Sequence, residues 1–72
     1  LPFNNTKTEY FVENGTIHIT NLLQNVTICI YDCMGKMIDI ITSNHYTLPY
    51  KGLYHIIIIK NNRKIDNFDV IY

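Results

Sequence analysis

Short apolar runs rich in isoleucine, valine, threonine and tyrosine recur along the chain at intervals of about ten residues, and turn-forming residues separate them. These turns lie at Asn14-Gly15, Asp32 to Gly35, Leu48 to Gly52 and Asn61-Asn62. Asparagine and glycine tolerate positive φ, aspartate accepts hydrogen bonds from the backbone that follows it, and proline presets the bend. The pattern therefore predicts an all-β domain.

The segments between the turns predict strands over residues 7–12, 16–21, 25–32, 36–41, 45–48, 53–60 and 64–72. In the second segment Ile17 and Ile19 alternate with polar residues, which is typical of a half-buried antiparallel strand. In the last segment the phase of Ile65 indicates a β-bulge near Asp66-Asn67. Strands this short hide their apolar faces in two packed sheets or in a small closed barrel, and we favour the packed sheets. We predict a small antiparallel β-sandwich of about seven strands, forming one domain over residues 1–72.

Composition narrows the function classes further. Thirteen isoleucines and no alanine or tryptophan favour strands over helices. Six basic residues balance six acidic ones, so the chain has no net field that would recruit nucleic acid. The longest apolar run, Ile56 to Ile59, is far below the roughly 18 residues of a membrane span, so we expect no such span. The chain begins at Leu1 rather than methionine, so we expect an upstream segment to have been removed.

The residues capable of chemistry are dispersed. Cys29 and Cys33 lie at a strand end and in the following turn, where an extended backbone separates their Cα atoms by about 13 Å, too far for a disulfide. His18, His45 and His55 show no local spacing that presents two metal ligands together, and we expect them in exposed cross-strand polar pairs. We therefore predict no catalytic residue, no metal site and no cofactor, and hence no enzyme.

One strand breaks the alternation expected of a sandwich. Between Leu53 and Ile59 both faces are apolar except at His55, so both faces need covering. Tyr54, Ile56 and Ile58 share one face, which we assign to the core. If this strand lies between the third strand and the last, it completes an outward apolar patch formed by Cys29, Tyr31, Leu53, Ile57, Ile59 and Ile71. Such patches usually mark interfaces, here with a protein partner, a parent domain or a second copy. Alternatively, the N-terminal segment Leu1 to Thr8 or a curled sheet covers these residues.

Two stretches carry a resemblance to known families, residues 26–38 and residues 46–59. They contain a strand ending in Tyr31-Asp32, a turn at Gly35-Lys36 and the entry Lys51-Gly52-Leu53-Tyr54 into an apolar strand. This arrangement resembles the C-terminal sorting domains of bacterial type IX secretion. It is also similar to small secreted immunoglobulin-like domains of unknown function.

The resemblance implies a noncatalytic, small immunoglobulin-like antiparallel β-sandwich of about seven strands that is secreted, periplasmic or on the cell surface, and that acts as an accessory or protein-interaction module. Sorting domains typically finish in a basic-flanked strand ending in lysine, whereas this chain finishes with residues 67–72, which contain no lysine. The sorting domain is therefore an alternative. A second alternative is a carbohydrate-binding module, whose stacking rings would come from Tyr10, Tyr31, Tyr46, Tyr50, Tyr54 and Tyr72.

Overall fold

The computed structural model describes residues 8–72, in which there are seven strands and no helix. The strands are β1 (Tyr10–Glu13), β2 (Thr16–Ile19), β3 (Thr27–Asp32), β4 (Met37–Ile41), β5 (His45–Thr47), β6 (Leu53–Lys60) and β7 (Arg63–Ile71). A three-stranded sheet has the order β1-β2-β5 and a four-stranded sheet has the order β4-β3-β6-β7, with every neighbouring pair antiparallel. The predicted all-β sandwich is confirmed, as is the position of β6 between β3 and β7. The predicted start of the first strand at Lys7 lies outside the described residues.

The two tightest hairpins have the backbone that their sequences predict. Asn14 and Gly15 between β1 and β2 have φ of 53° and 76°, and Asn61 and Asn62 between β6 and β7 have φ of 55° and 61°. Two consecutive positive φ values are the requirement of a type I′ turn, whose twist matches that of the strands it joins. These turns therefore fix the register of both hairpins.

A β-bulge restores the phase of the last strand. Asp66 pairs with Ile58 and Lys64 pairs with Ile59, so Ile65 is the extra residue on β7. The bulge lies one residue before the predicted position near Asp66-Asn67. Its effect is to turn Val70 into the core, where it is buried.

The core lies between the sheets and takes one face of each contributing strand. Its buried members are Ile17, Ile19, Val26, Ile28, Ile30, Leu48, Tyr54, Ile56, Ile58 and Val70. On β6 the buried residues alternate strictly with half-buried ones from Leu53 to Ile59. This alternation assigns the other side chains of β6 to the opposite face of the sheet.

Side chains at both edges hold the sheets together. The Tyr10 ring stacks on Phe68 with centroids 4.1 Å apart, and its hydroxyl donates to the Asp69 carbonyl at 2.9 Å, which joins β1 to β7. At the other edge burial and the nearby carboxylate of Asp39 on β4 raise the pKa of Tyr46 on β5. Side chains of the two sheets therefore lie close together at both edges of the sandwich.

Candidate interaction surface

The outer face of the four-stranded sheet, opposite the core, is largely apolar. Directly paired residues on neighbouring strands lie on the same face of a sheet, so the register gives the rows of side chains that cross this face. The rows are Ile40–Cys29–Ile57 and Met37–Tyr31–His55, flanked by Thr27–Ile59 and Leu53–Ile71. We call its apolar members the outer patch: Cys29, Tyr31, Met37, Ile40, Leu53, Ile57, Ile59 and Ile71.

The structure brings the six predicted residues together on this face, but they contribute very different amounts of surface. Ile71 is 78% exposed, whereas Cys29 is only 5% exposed between its partners on β4 and β6. Tyr31, Leu53 and the outward isoleucines of β6 are half-buried. Cys29 therefore belongs to the floor of the patch rather than to its accessible surface.

Two exposed members were missing from the predicted patch, Met37 at 43% and Ile40 at 53% exposure. Both lie on β4, which pairs with β3 at the edge of the sheet. A register shift between Ile30 and Tyr31 breaks the simple alternation of β4, so its outward residues could not be read by counting in twos. The apolar residues on both sides of Asp39 were the available signal.

A hydrogen bond between His55 and Asp69 bounds the patch on the β7 side. His55 Nδ1 lies 2.7 Å from Asp69 Oδ1, and both side chains are substantially exposed. The predicted exposed cross-strand pair is confirmed for this histidine. The outer patch therefore lies mainly over β4, β3 and β6, with a charged rim along β7.

The turn next to the patch is organised by Asp32. Its Oδ1 accepts hydrogen bonds from the backbone N–H groups of Lys36 and Met34, both at 2.9 Å, and these bonds hold the pKa of Asp32 below its ordinary value. Cys33 in this turn is exposed, and both thiols of the chain are free.

Tyr54, at the beginning of β6, has a structural role that sequence reasoning missed. The residue is fully buried, and its hydroxyl donates to the Tyr50 carbonyl and accepts from the Tyr50 N–H at 3.2 Å. A buried phenol requires a hydrogen-bond partner, so its predicted position facing the core was the signal.

The tyrosines considered for sugar stacking lie in different parts of the fold. Tyr10 stacks on Phe68, Tyr46 packs against the core and Tyr31 belongs to the outer patch. Tyr50 and Tyr72 are exposed near Gly52, whose backbone exchanges two hydrogen bonds with that of Tyr72. The described structure thus distributes these rings over both sheets.

Two of the three histidines meet in the three-stranded sheet, although they are distant in sequence. His18 on β2 is the direct partner of His45 on β5. The expected arrangement of histidines in cross-strand polar pairs therefore extends to these two residues, which no local spacing connects. Within residues 8–72 no group of three or more His, Cys, Asp and Glu side chains is arranged to hold a metal ion.

Comparison with known proteins finds no family model, no curated protein and no solved structure that matches this chain. The resemblance to type IX sorting domains and to small secreted immunoglobulin-like domains therefore stays a prediction. In residues 8–72 no helix is long and apolar enough to cross a membrane.

Proposed function

We propose that this chain is a noncatalytic, secreted or cell-surface, immunoglobulin-like β-sandwich that acts as an accessory module and binds another protein through the outer patch. The observation that carries the proposal is the exposure of aliphatic residues such as Ile40 and Ile71 on a sheet whose other face already forms the core. An antiparallel sheet packed on one side normally presents polar residues on the other. Contiguous apolar surface is a mark of interaction sites.

Two features support the immunoglobulin-like part of the proposal. The chain passes from one sheet to the other between β2 and β3, between β4 and β5, and between β5 and β6, as Greek-key sandwiches do. The hydrogen bonds from the Tyr54 hydroxyl back to Tyr50 resemble the tyrosine corner at the start of the sixth strand in that fold. Secretion is supported by the resemblance alone.

The noncatalytic part is supported by the hydrogen-bond partners of the reactive side chains, since among residues 8–72 no thiol is hydrogen-bonded to a histidine ring. The exposed thiol of Cys33 lies in the β3–β4 turn, whereas His55 is bound to Asp69 on the β6–β7 ladder. His18 and His45 lie on the other sheet. A nucleophilic site needs its nucleophile and base within hydrogen-bond reach of each other.

The size of the outer face favours a contact on the scale of one domain. Four strands spaced about 4.8 Å apart and about four rows spaced roughly 6.8 Å apart cover about 500 Å². A standard stable complex buries about 800 Å² on each partner, whereas contacts between domains of one chain bury roughly 300–750 Å² on each side. We therefore propose that the partner covers the outer patch with the apolar face of a second folded domain, in an interface of modest size.

Site-specific photo-crosslinking in the native source tests this proposal. A photoreactive residue replaces Ile40 in the patch or, as the control, Met34, which is 86% exposed in the adjoining turn. We expect position 40 to cross-link to a different domain and position 34 not to. Equal cross-linking at both positions, or none at position 40, would contradict the proposal. Cross-links between two copies of this chain, together with a molar mass from light scattering that rises with concentration, would show instead that the patch mediates self-association.

A further inference from the structure

We propose that His18 and His45 form a two-imidazole site for a divalent transition metal of the Zn²⁺, Ni²⁺ and Cu²⁺ class. The site lies on the outer face of the three-stranded sheet and is independent of the outer patch, which belongs to the other sheet. His18 points away from the core because its neighbours Ile17 and Ile19 on the same strand are buried. His45 faces the same way because it is the direct partner of His18 in the β2–β5 ladder.

The backbone hydrogen bonds place the two imidazoles in the closer type of cross-strand pair. The N–H of Ile19 donates to the carbonyl of Asn44 at 2.8 Å, which makes His18 and His45 a non-hydrogen-bonded pair. In such pairs the Cα atoms are only about 4.5 Å apart and the side chains lie closer together than in the alternating hydrogen-bonded pairs. This distance allows both rings to reach one ion.

A neighbouring pair in the same ladder shows that side chains in this arrangement do meet. Thr16 and Thr47 are also direct partners, and the N–H of Leu48 donates to the carbonyl of Gly15 at 2.8 Å, which makes them a pair of the same type. Their hydroxyl oxygens lie 3.1 Å apart. They are two residues away from the histidines on the same face of the sheet.

Adjacent residues orient both rings. Phe11 stacks on His18 with centroids 4.8 Å apart and planes 16° from parallel, which restricts the rotation of the imidazole. His45 Nδ1 lies 3.3 Å from the side-chain oxygen of Asn44. An amide oxygen only accepts, so in the tautomer in which Nδ1 donates to it, Nε2 keeps its lone pair for a metal.

Imidazole nitrogen is a preferred ligand of Zn²⁺, Ni²⁺ and Cu²⁺, and two such ligands leave the remaining coordination positions to water. A bound ion would link β2 to β5, a three-residue strand at the edge of its sheet. Because the two histidines meet only in the folded chain, binding would raise the stability of the fold.

Zn²⁺ titration of the whole chain by calorimetry tests the site. We expect one bound ion in the wild type and an affinity at least about tenfold lower in His45→Ala, since even the loss of a residue that supports a ligand costs about 10–100-fold. His55→Ala, on the other sheet, is the matched control and should bind as the wild type does. Zn²⁺ should also raise the melting temperature of the wild type and of the control, but not that of His45→Ala.

A spectroscopic measurement separates ligation from a change in folding. On addition of Zn²⁺ we expect the imidazole nitrogen resonances of His18 and His45 to shift, while those of His55 stay in place. Unchanged Zn²⁺ affinity in the His18→Ala/His45→Ala double variant would overturn the proposal. A shift confined to one of the two imidazoles would also overturn it, because the site requires both. His45 is exposed, so its variant should fold as the wild type does.

Discussion

Replacement of Tyr54 by phenylalanine isolates the contribution of one hydroxyl to the stability of the sandwich. The ring is completely buried, and phenylalanine keeps its volume and its contacts with the core. The substitution removes both hydrogen bonds to the backbone of Tyr50. A buried polar group left without its partner costs about 1–3 kcal/mol. At about 0.05–0.15 kcal/mol per residue, a chain of 72 residues has only roughly 4–11 kcal/mol of stability in total.

We therefore expect Tyr54→Phe to lower the free energy of unfolding by about 1–3 kcal/mol, and the melting temperature by at least about 4 °C. Urea unfolding followed by circular dichroism measures the change, with an unchanged m-value as evidence that the two states are the same. The control is Tyr10→Phe, which removes a hydroxyl that donates to the exposed Asp69 carbonyl at 2.9 Å. Water can replace that bond, so its loss should cost less than about 0.5 kcal/mol. Equal stability of the two variants would refute the assigned role of the buried hydroxyl.

Three further predictions concern the turns and the outer patch. Gly15→Ala and Gly35→Ala should each destabilise the fold by about 1–2 kcal/mol in urea unfolding, because both positions have positive φ. The loss at Gly15 should be the larger one, since a Cβ there would lie 2.7 Å from the tip of the Tyr72 side chain, which must then move; a larger loss at Gly35 would contradict this. Because the fold lowers the pKa of Asp32, its ionised carboxylate stabilises the protein at pH values above the ordinary pKa of 3.8. This stabilisation is lost as the pH falls through the lower pKa of the folded state. Asp32→Asn should therefore show a shallower loss of stability in acid unfolding, and an unchanged slope would exclude this contribution. Ile40→Lys should leave the melting temperature within about 2 °C of the wild type, since exposed substitutions change stability little. It should abolish partner cross-linking from a photoreactive residue placed at Ile71 of the outer patch, and cross-linking that persists would contradict the proposed interface.

Local chemistry made the strands and turns predictable. Positive φ at Asn14 and Asn61 follows from residue type and position between apolar runs, and it appears in the structure as expected. The period-two pattern also assigned Tyr54 and Ile56 to the core, where both are buried. These features depend on neighbours within a few residues, so no long-range information was needed.

The candidate surfaces were less predictable because their members come from distant segments. The residues predicted for the outer patch lie on one face, yet burial removes Cys29 from its accessible surface and the edge strand adds Ile40. His18 and His45 become neighbours only through the pairing of β2 with β5. No local spacing rule could identify that pair, because a ladder joins residues by register rather than by distance along the chain.

The sequence by itself determined which segments extend, where the chain reverses and, on strands that alternate cleanly such as β2, which side faces the core. The tertiary structure decided which strands are neighbours, how a bulge shifts the phase of β7, and therefore which side chains share an outer face. The physical reason is that backbone preference and side-chain alternation act locally, whereas sheet order results from the collective packing of two apolar faces.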